Sequence, residues 1–172
     1  MPEHRNLAAF ARWWLSQPVS AALRPPLQPI ARYADDGGSE VTCLCLYRDA
    51  PYQVEFFMTP SADGRRSFPA HRHPRVDSIE CHITGDIAFS VNGQRVRTDL
   101  QIEEVDTRGV QILCGQLLRI RPRDWHGAEV GERGGAFLSI QRWPAGVMPT
   151  SVALDWEGPP HVSVNGLPAV TG

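Results

Sequence analysis

The chain has 172 residues, enough for one domain, since a chain of this size buries roughly 70% of the surface its unfolded form exposes. Apolar residues make up 42% and charged residues 21%, an ordinary balance for a folded domain and a poor one for a disordered chain. A formal charge of −2 supplies no basic field, so no nucleic-acid partner is expected.

The first residues, MPEHRNLAAFARWWLSQP, lack the unbroken apolar stretch of a secretory signal, and no segment reaches the length needed to cross a bilayer. The expectation is a cytoplasmic protein with no membrane partner. Cys43, Cys45, Cys81 and Cys114 form no CxxC pair and no zinc knuckle. Cys43 and Cys45 share a face if VTCLCLY is a strand, and buried free thiols in a reducing compartment fit best.

In chain order, Leu7, Phe10, Ala11 and Trp14 fall at helical spacing, which predicts a helix over Glu3 to Ser16, stopped by Pro18. It is expected to pack outside the main body or at a subunit interface. The stretch PVSAALRPPLQPIARY reads as an extended connector, neither helix nor central strand, so residues 1–39 form a helix plus linker. From Glu40 the pattern changes to strands: residues 41–48, 52–59, 78–84, 86–93, 110–120, 128–131 and 136–143 are short, rich in β-branched and aromatic residues, and bounded by turn formers. Asn92-Gly93 marks a hairpin turn. Many short strands over residues 40–148 predict an all-β sandwich or barrel. Residues 149–172, rich in Pro and Gly, form an extended tail that wraps the barrel or a neighbouring subunit.

The chemistry concentrates in FPAHRHPRVDSIECHITGDIAF and LLRIRPRDWHGAEVG. His71 and His73, two apart, are expected where a strand begins, after a loop of Gly and Arg, so both rings can aim into one cavity. Imidazole ligates zinc, copper, iron and nickel. Pro122 ends one strand and His126 opens the next, which would bring a third imidazole across from a facing strand.

His71, His73, Glu80 and Gly85 together resemble the first motif of the cupin superfamily, and Pro122, Asp124, Trp125 and His126 resemble its second; with the strands between them the resemblance covers residues 40 to 143. It implies a cupin jelly-roll barrel (a double-stranded β-helix) with an N-terminal helix and an extended C-terminal tail. It also implies one divalent metal, Fe, Mn, Ni or Zn, held by His71, His73, Glu80 and His126. The family's glutamate position holds Ser78 here, so the carboxylate comes from Glu80 or from Asp77. Strand alternation puts Ser78, Glu80 and His82 on one face and Asp77, Ile79, Cys81 and Ile83 on the other, and polarity alone does not say which face is inside. In the family's register Glu80 and His82 point inward, and His82 becomes either a fourth nitrogen ligand or a catalytic acid–base or orienting group at the substrate. The family also implies a homodimer, for which Trp13, Trp14 and the proline connector offer apolar surface.

Two functions follow from the resemblance: a metal-dependent small-molecule enzyme of the oxygenase type, or a non-catalytic cupin that binds or senses a small anionic ligand. A metal-free, sugar-nucleotide-isomerase-like cupin is a third. Arg119, Arg121 and Arg123 alternate on one face and read as an exposed face paired with Glu103, Glu104 or Asp106, with an anion-binding rim as the functional reading. Gln141 is placed to hydrogen-bond a ligand histidine from behind. His4 and His161 receive no role. No Ser-His-Asp elbow and no phosphate-binding glycine loop is present.

Overall fold

The computed structural model describes residues 6–18, 28–34, 40–64, 66–96, 117–152, 155–159 and 162–163. Its elements are α1 (Leu7–Leu15), β1 (Gln28–Ala34), β2 (Glu40–Asp49), β3 (Tyr52–Thr59), β4 (Arg66–His71), β5 (Asp77–Val91), β6 (Gln94–Val96), β7 (Leu117–Ile120), β8 (His126–Arg142) and β9 (Val162–Ser163). All the strand pairs are antiparallel.

Two long strands organise the molecule. β5 and β8 pair along almost their whole length, from Asp77↔Arg142 to Val91↔His126, with irregularities between His82 and Thr84 and between Gly85 and Ile87. On one side of that break β8 continues into β3, which continues into β2 and β1. On the other side its first residues, His126 to Val130, pair instead with β4. β5 divides the same way, pairing β7 through Ser78–Cys81 and β6 through Phe89–Val91. Each long strand therefore serves two sheets, which is how a jelly-roll barrel is closed.

The corner requires glycine. Gly85 has φ +89° and Gly134 φ +65°, and a Cβ on Gly85 would fall on the main chain of Gly134 and Gly135. Inside, Phe137 joins the two halves: it stacks on Phe57 at 4.8 Å and meets the edge of Phe89 at 5.2 Å. Asn92 and Gly93, with φ of 50° and 77°, make the tight turn from β5 to β6.

The predicted strands 78–84 and 86–93 are one bent strand, and so are 128–131 and 136–143, because the glycines between them turn the ladder without ending it. Most of the predicted strand 110–120 and Cys114 lie outside the described residues. Two expectations need correction. The connector is not free of sheet: Gln28–Ala34 pairs with β2 on one side and β9 on the other. His71 does not begin a strand after a loop but ends one, β4, whose pairing with β8 sets Phe68 opposite Ala128 and His71 opposite His126.

Helix α1 is capped by Asn6, whose Oδ1 accepts from the Ala9 N–H at 2.9 Å. It lies on the outer face of the larger sheet. Leu7, Phe10, Ala11 and Trp14 bury against Tyr47, Tyr52, Val54, Ile79, Cys81, Leu138 and Ile140, with Phe10 stacked on Tyr52 at 4.2 Å. Trp14 is spent on this contact, and Trp13 packs partly against it. The helix also decides the orientation of β5: Ile79 and Cys81 face the helix, so Ser78, Glu80 and His82 face into the barrel.

Truncating Phe10 to Ala removes the ring at the centre of this contact and should cost about 3–5 kcal/mol of unfolding free energy. Urea titration checks it; a loss below about 1 kcal/mol would show that the helix is not part of the cooperative core.

Candidate metal centre

His71, His73 and His126 are buried and each offers a ligand nitrogen within 4.8 Å of the others. Their ring centroids lie 4.2 Å (His71–His126), 5.0 Å (His71–His73) and 5.0 Å (His73–His126) apart. Three segments bring them there: the end of β4, the turn that follows it, and the start of β8.

The rings are held in one protonation pattern. Nδ1 of His71 lies 2.9 Å from the Pro69 carbonyl, Nδ1 of His73 2.8 Å from that of Asp155, and Nδ1 of His126 3.0 Å from that of Asp124. A carbonyl only accepts, so Nδ1 donates in each bond and Nε2 keeps its lone pair. This is the tautomer a ligand histidine needs, with the carbonyl that orients the ring already in place. Burial lowers the pKa of His126, against the opposing pull of the Asp124 carbonyl and carboxylate, and so favours the neutral ring. Three imidazoles with Nδ1 turned to a carbonyl and Nε2 left as the ligand atom fit iron, nickel, copper or zinc.

The tail, expected to wrap the barrel or a neighbouring subunit, packs against the ligand segment of its own chain. The main chains of Arg72 and Glu157 exchange two hydrogen bonds of 2.9 Å, and their side chains form an ion pair of 2.6 Å. Asp155, itself buried, accepts from the Arg75 main-chain N–H at 2.9 Å and the Arg75 Nε at 2.6 Å. Trp156 lies flat on the His71 ring, 3.7 Å between centroids at 13°. None of these tail residues was singled out from the sequence. A run of Asp, Trp, Glu and Gly in a Pro-rich stretch carries no periodicity that points at a site more than eighty residues earlier.

The carboxylates expected at the metal are elsewhere. Asp77 is bound through both oxygens to Arg119, at 3.1 and 2.6 Å. The partners expected for the arginines, Glu103, Glu104 and Asp106, lie outside the described residues, as do His4 and His161. Glu80 is buried on the inner face but does not join the three-imidazole group. Its Oε1 accepts from Ser78 Oγ at 2.8 Å and Ser139 Oγ at 2.9 Å. Cross-strand register explains this, since Glu80 sits opposite Ser139, far along the β5–β8 ladder from the Val91↔His126 pair.

Across β8, Glu55 of β3 is also opposite Ser139. Gln141 Nε2 donates to Glu55 Oε2 at 2.7 Å, and the Val152 N–H donates to the same oxygen at 3.2 Å. Gln141 also bonds Gln53 and Trp143, so it supports this carboxyl cluster and not a ligand histidine. Gln53 in turn donates to the Thr150 carbonyl. Burial raises both carboxyls to about 7, Glu55 against the pull of Gln141 and Val152, Glu80 against that of Ser78 and Ser139. One oxygen of each, Glu55 Oε1 and Glu80 Oε2, has no hydrogen-bond partner. His82 lies next along the inner face, opposite Phe137, with Nε2 donating to the Thr84 carbonyl at 3.0 Å; burial lowers its pKa.

No protein-family model matches the chain, and no curated protein matches it by sequence. Among solved structures it is similar to a cupin-2 domain protein from Rhodospirillum rubrum, at 15% identity over 74% of this chain and 78% of that one, with a TM-score of 0.47. It is likewise similar to an RmlC-like cupin from Shewanella frigidimarina (16%, 67% and 86%, 0.45) and to the Cnp3 cupin domain of Schizosaccharomyces pombe (10%, 70% and 70%, 0.45). At such identities the likeness concerns the fold alone.

Between 4.5 and about 7 the folded chain holds protons on Glu55 and Glu80 that the unfolded chain has released. The two carboxyls therefore make stability fall as pH rises through that window, by on the order of 3 kcal/mol each at most. His82 and His126, with lowered pKa, contribute in the opposite sense and lose stability as pH falls. Urea unfolding of an E55Q/E80Q double variant should show the fall removed, leaving a profile that is flat or rises with pH. A slope equal to wild type would mean that neither carboxyl is protonated in the folded chain.

Proposed function

We propose that this cupin-fold chain is a metal-dependent small-molecule enzyme of the oxygenase type. The observation that supports it most is the common tautomer of three converging imidazoles, each with Nδ1 committed to a main-chain carbonyl. His71, His73 and His126 would hold one divalent ion. Bound there, the ion supplies Lewis-acid or redox chemistry at coordination positions that three protein ligands leave for substrate.

The rest of the reading concerns the chain's own groups. The stacked Phe57 and Phe137 make the barrel interior apolar beside the inner carboxyls, an environment that excludes water. His82 enters the proposal as an acid–base group, since burial keeps its ring in the neutral, proton-accepting form. Glu55 and Glu80, near 7, can hold a proton within the same interior. A homodimer in the cytoplasm completes the proposal. Among the described residues no helix is long and apolar enough to cross a membrane.

Elemental analysis of freshly purified protein should find close to one equivalent of a transition metal, and His126→Ala should reduce it to background. Oxygen uptake by the iron-loaded protein with catechols, thiols and diketones then tests the reaction. Turnover supports the enzyme; tight binding with no turnover identifies a sensor; metal-free protein that stays active in chelator overturns the metal reading.

A further inference from the structure

The three ligand rings are not held alike. His71 and His126 each donate Nδ1–H to the carbonyl two residues earlier in their own segment, Pro69 and Asp124. His73 donates to Asp155, 82 residues away. Its orientation therefore depends on where the tail lies.

Asp155 closes that dependence from both ends. Its carbonyl takes the His73 ring, and its carboxylate takes the N–H and Nε of Arg75, two residues beyond His73. The next three residues continue along the ligand segment in the antiparallel sense. Trp156 covers the His71 ring, Glu157 exchanges main-chain hydrogen bonds with Arg72, and Gly158 passes so close that a Cβ there would lie 2.7 Å from His71 Cβ. β4 loses its own strand partner at His71↔His126, and the Arg72↔Glu157 bridge takes over where that ladder stops.

We propose that residues 155–158 form a strap that is part of the metal centre, with Asp155 as the positioning residue for His73 and Trp156 as the residue that fixes the His71 ring. This rests on the reading of the three imidazoles as a metal centre. The strap makes the turn one side of a short ladder, and its Asp155 carbonyl fixes the orientation of the His73 ring. Groups that hold a ligand ring in place from behind typically govern metal affinity by roughly 10–100-fold.

The test uses full-length chains: wild type, Asp155→Ala, Trp156→Ala and Trp156→Phe. Three readouts are needed. Cobalt(II) affinity is measured by competition with a chromogenic chelator, and the visible spectrum of the cobalt protein reports ligand geometry. In the metal-free protein, nitrogen-15 NMR follows the His73 Nδ1–H. Asp155→Ala keeps the carbonyl that His73 uses but removes the carboxylate that ties it to Arg75. It should therefore weaken cobalt binding by about 10–100-fold, alter the cobalt spectrum, and reduce the protection of the His73 Nδ1–H signal. Trp156→Ala should weaken binding, and Trp156→Phe, which keeps a flat ring on His71, should restore it. Should Asp155→Ala fail to fold, the Ala-versus-Phe comparison at 156 decides by itself. Wild-type affinity and spectrum in Asp155→Ala and Trp156→Ala overturn the strap and leave the three-imidazole centre standing. Wild-type protein that takes up no cobalt overturns both.

Discussion

The bent pairing of β5 with β8 is the constraint from which the rest follows. A strand that must leave one sheet and enter another has to turn without breaking its ladder, and here glycines at 85, 134 and 135 let two backbones approach more closely than any side chain permits. Because the corner divides β8, its first turn of ladder faces β4 and its last faces β3. His126 is thereby delivered to His71 at one end, while Ser139 and Gln141 are delivered to Glu55 and Glu80 at the other. Two separate polar sites result from one pair of strands.

The sites differ in how they resolve the cost of burying polar groups. At the imidazoles every ring has its Nδ1–H satisfied by a main-chain carbonyl, which leaves Nε2 as the ligand atom of each. At the inner carboxyls, hydroxyl, amide and main-chain donors reach one oxygen of each acid and the other is left unpaired. With no cation at hydrogen-bond range among the described residues, the cheaper state for these acids is the neutral one, which is why burial outweighs the donors that favour ionisation. The barrel thus keeps a proton-holding interior beside a centre built from imidazoles.

The tail ties the two together. Thr150 and Val152 bond to Gln53 and Glu55 in the interior, and Asp155 to Gly158 run along the ligand segment. Glu55 and His73 thus share a support, though neither touches the other's site. The tail holds its place here through the burial of Val152 in the core, hydrogen bonds, the Trp156–His71 stack and the ion pairs Arg72–Glu157 and Arg75–Asp155.

Local signals in the sequence were sufficient for the β-rich class, the short N-terminal helix, the Asn92-Gly93 turn and the three histidines, because each is written in neighbouring residues or in a spacing of two. The side of β5 that faces inward was not legible, since Ser78–Glu80–His82 and Ile79–Cys81–Ile83 are equally good candidates until α1 covers the apolar set. The carboxylates were misplaced for a related reason: one turn of a motif cannot reveal that Ser139 stands opposite Glu80, or that Arg119 holds Asp77. Only the closed barrel decided those pairings, and only the returning tail decided what orients His73. Contacts between residues eighty positions apart are set by where the sheets turn, and no short window of sequence contains that information.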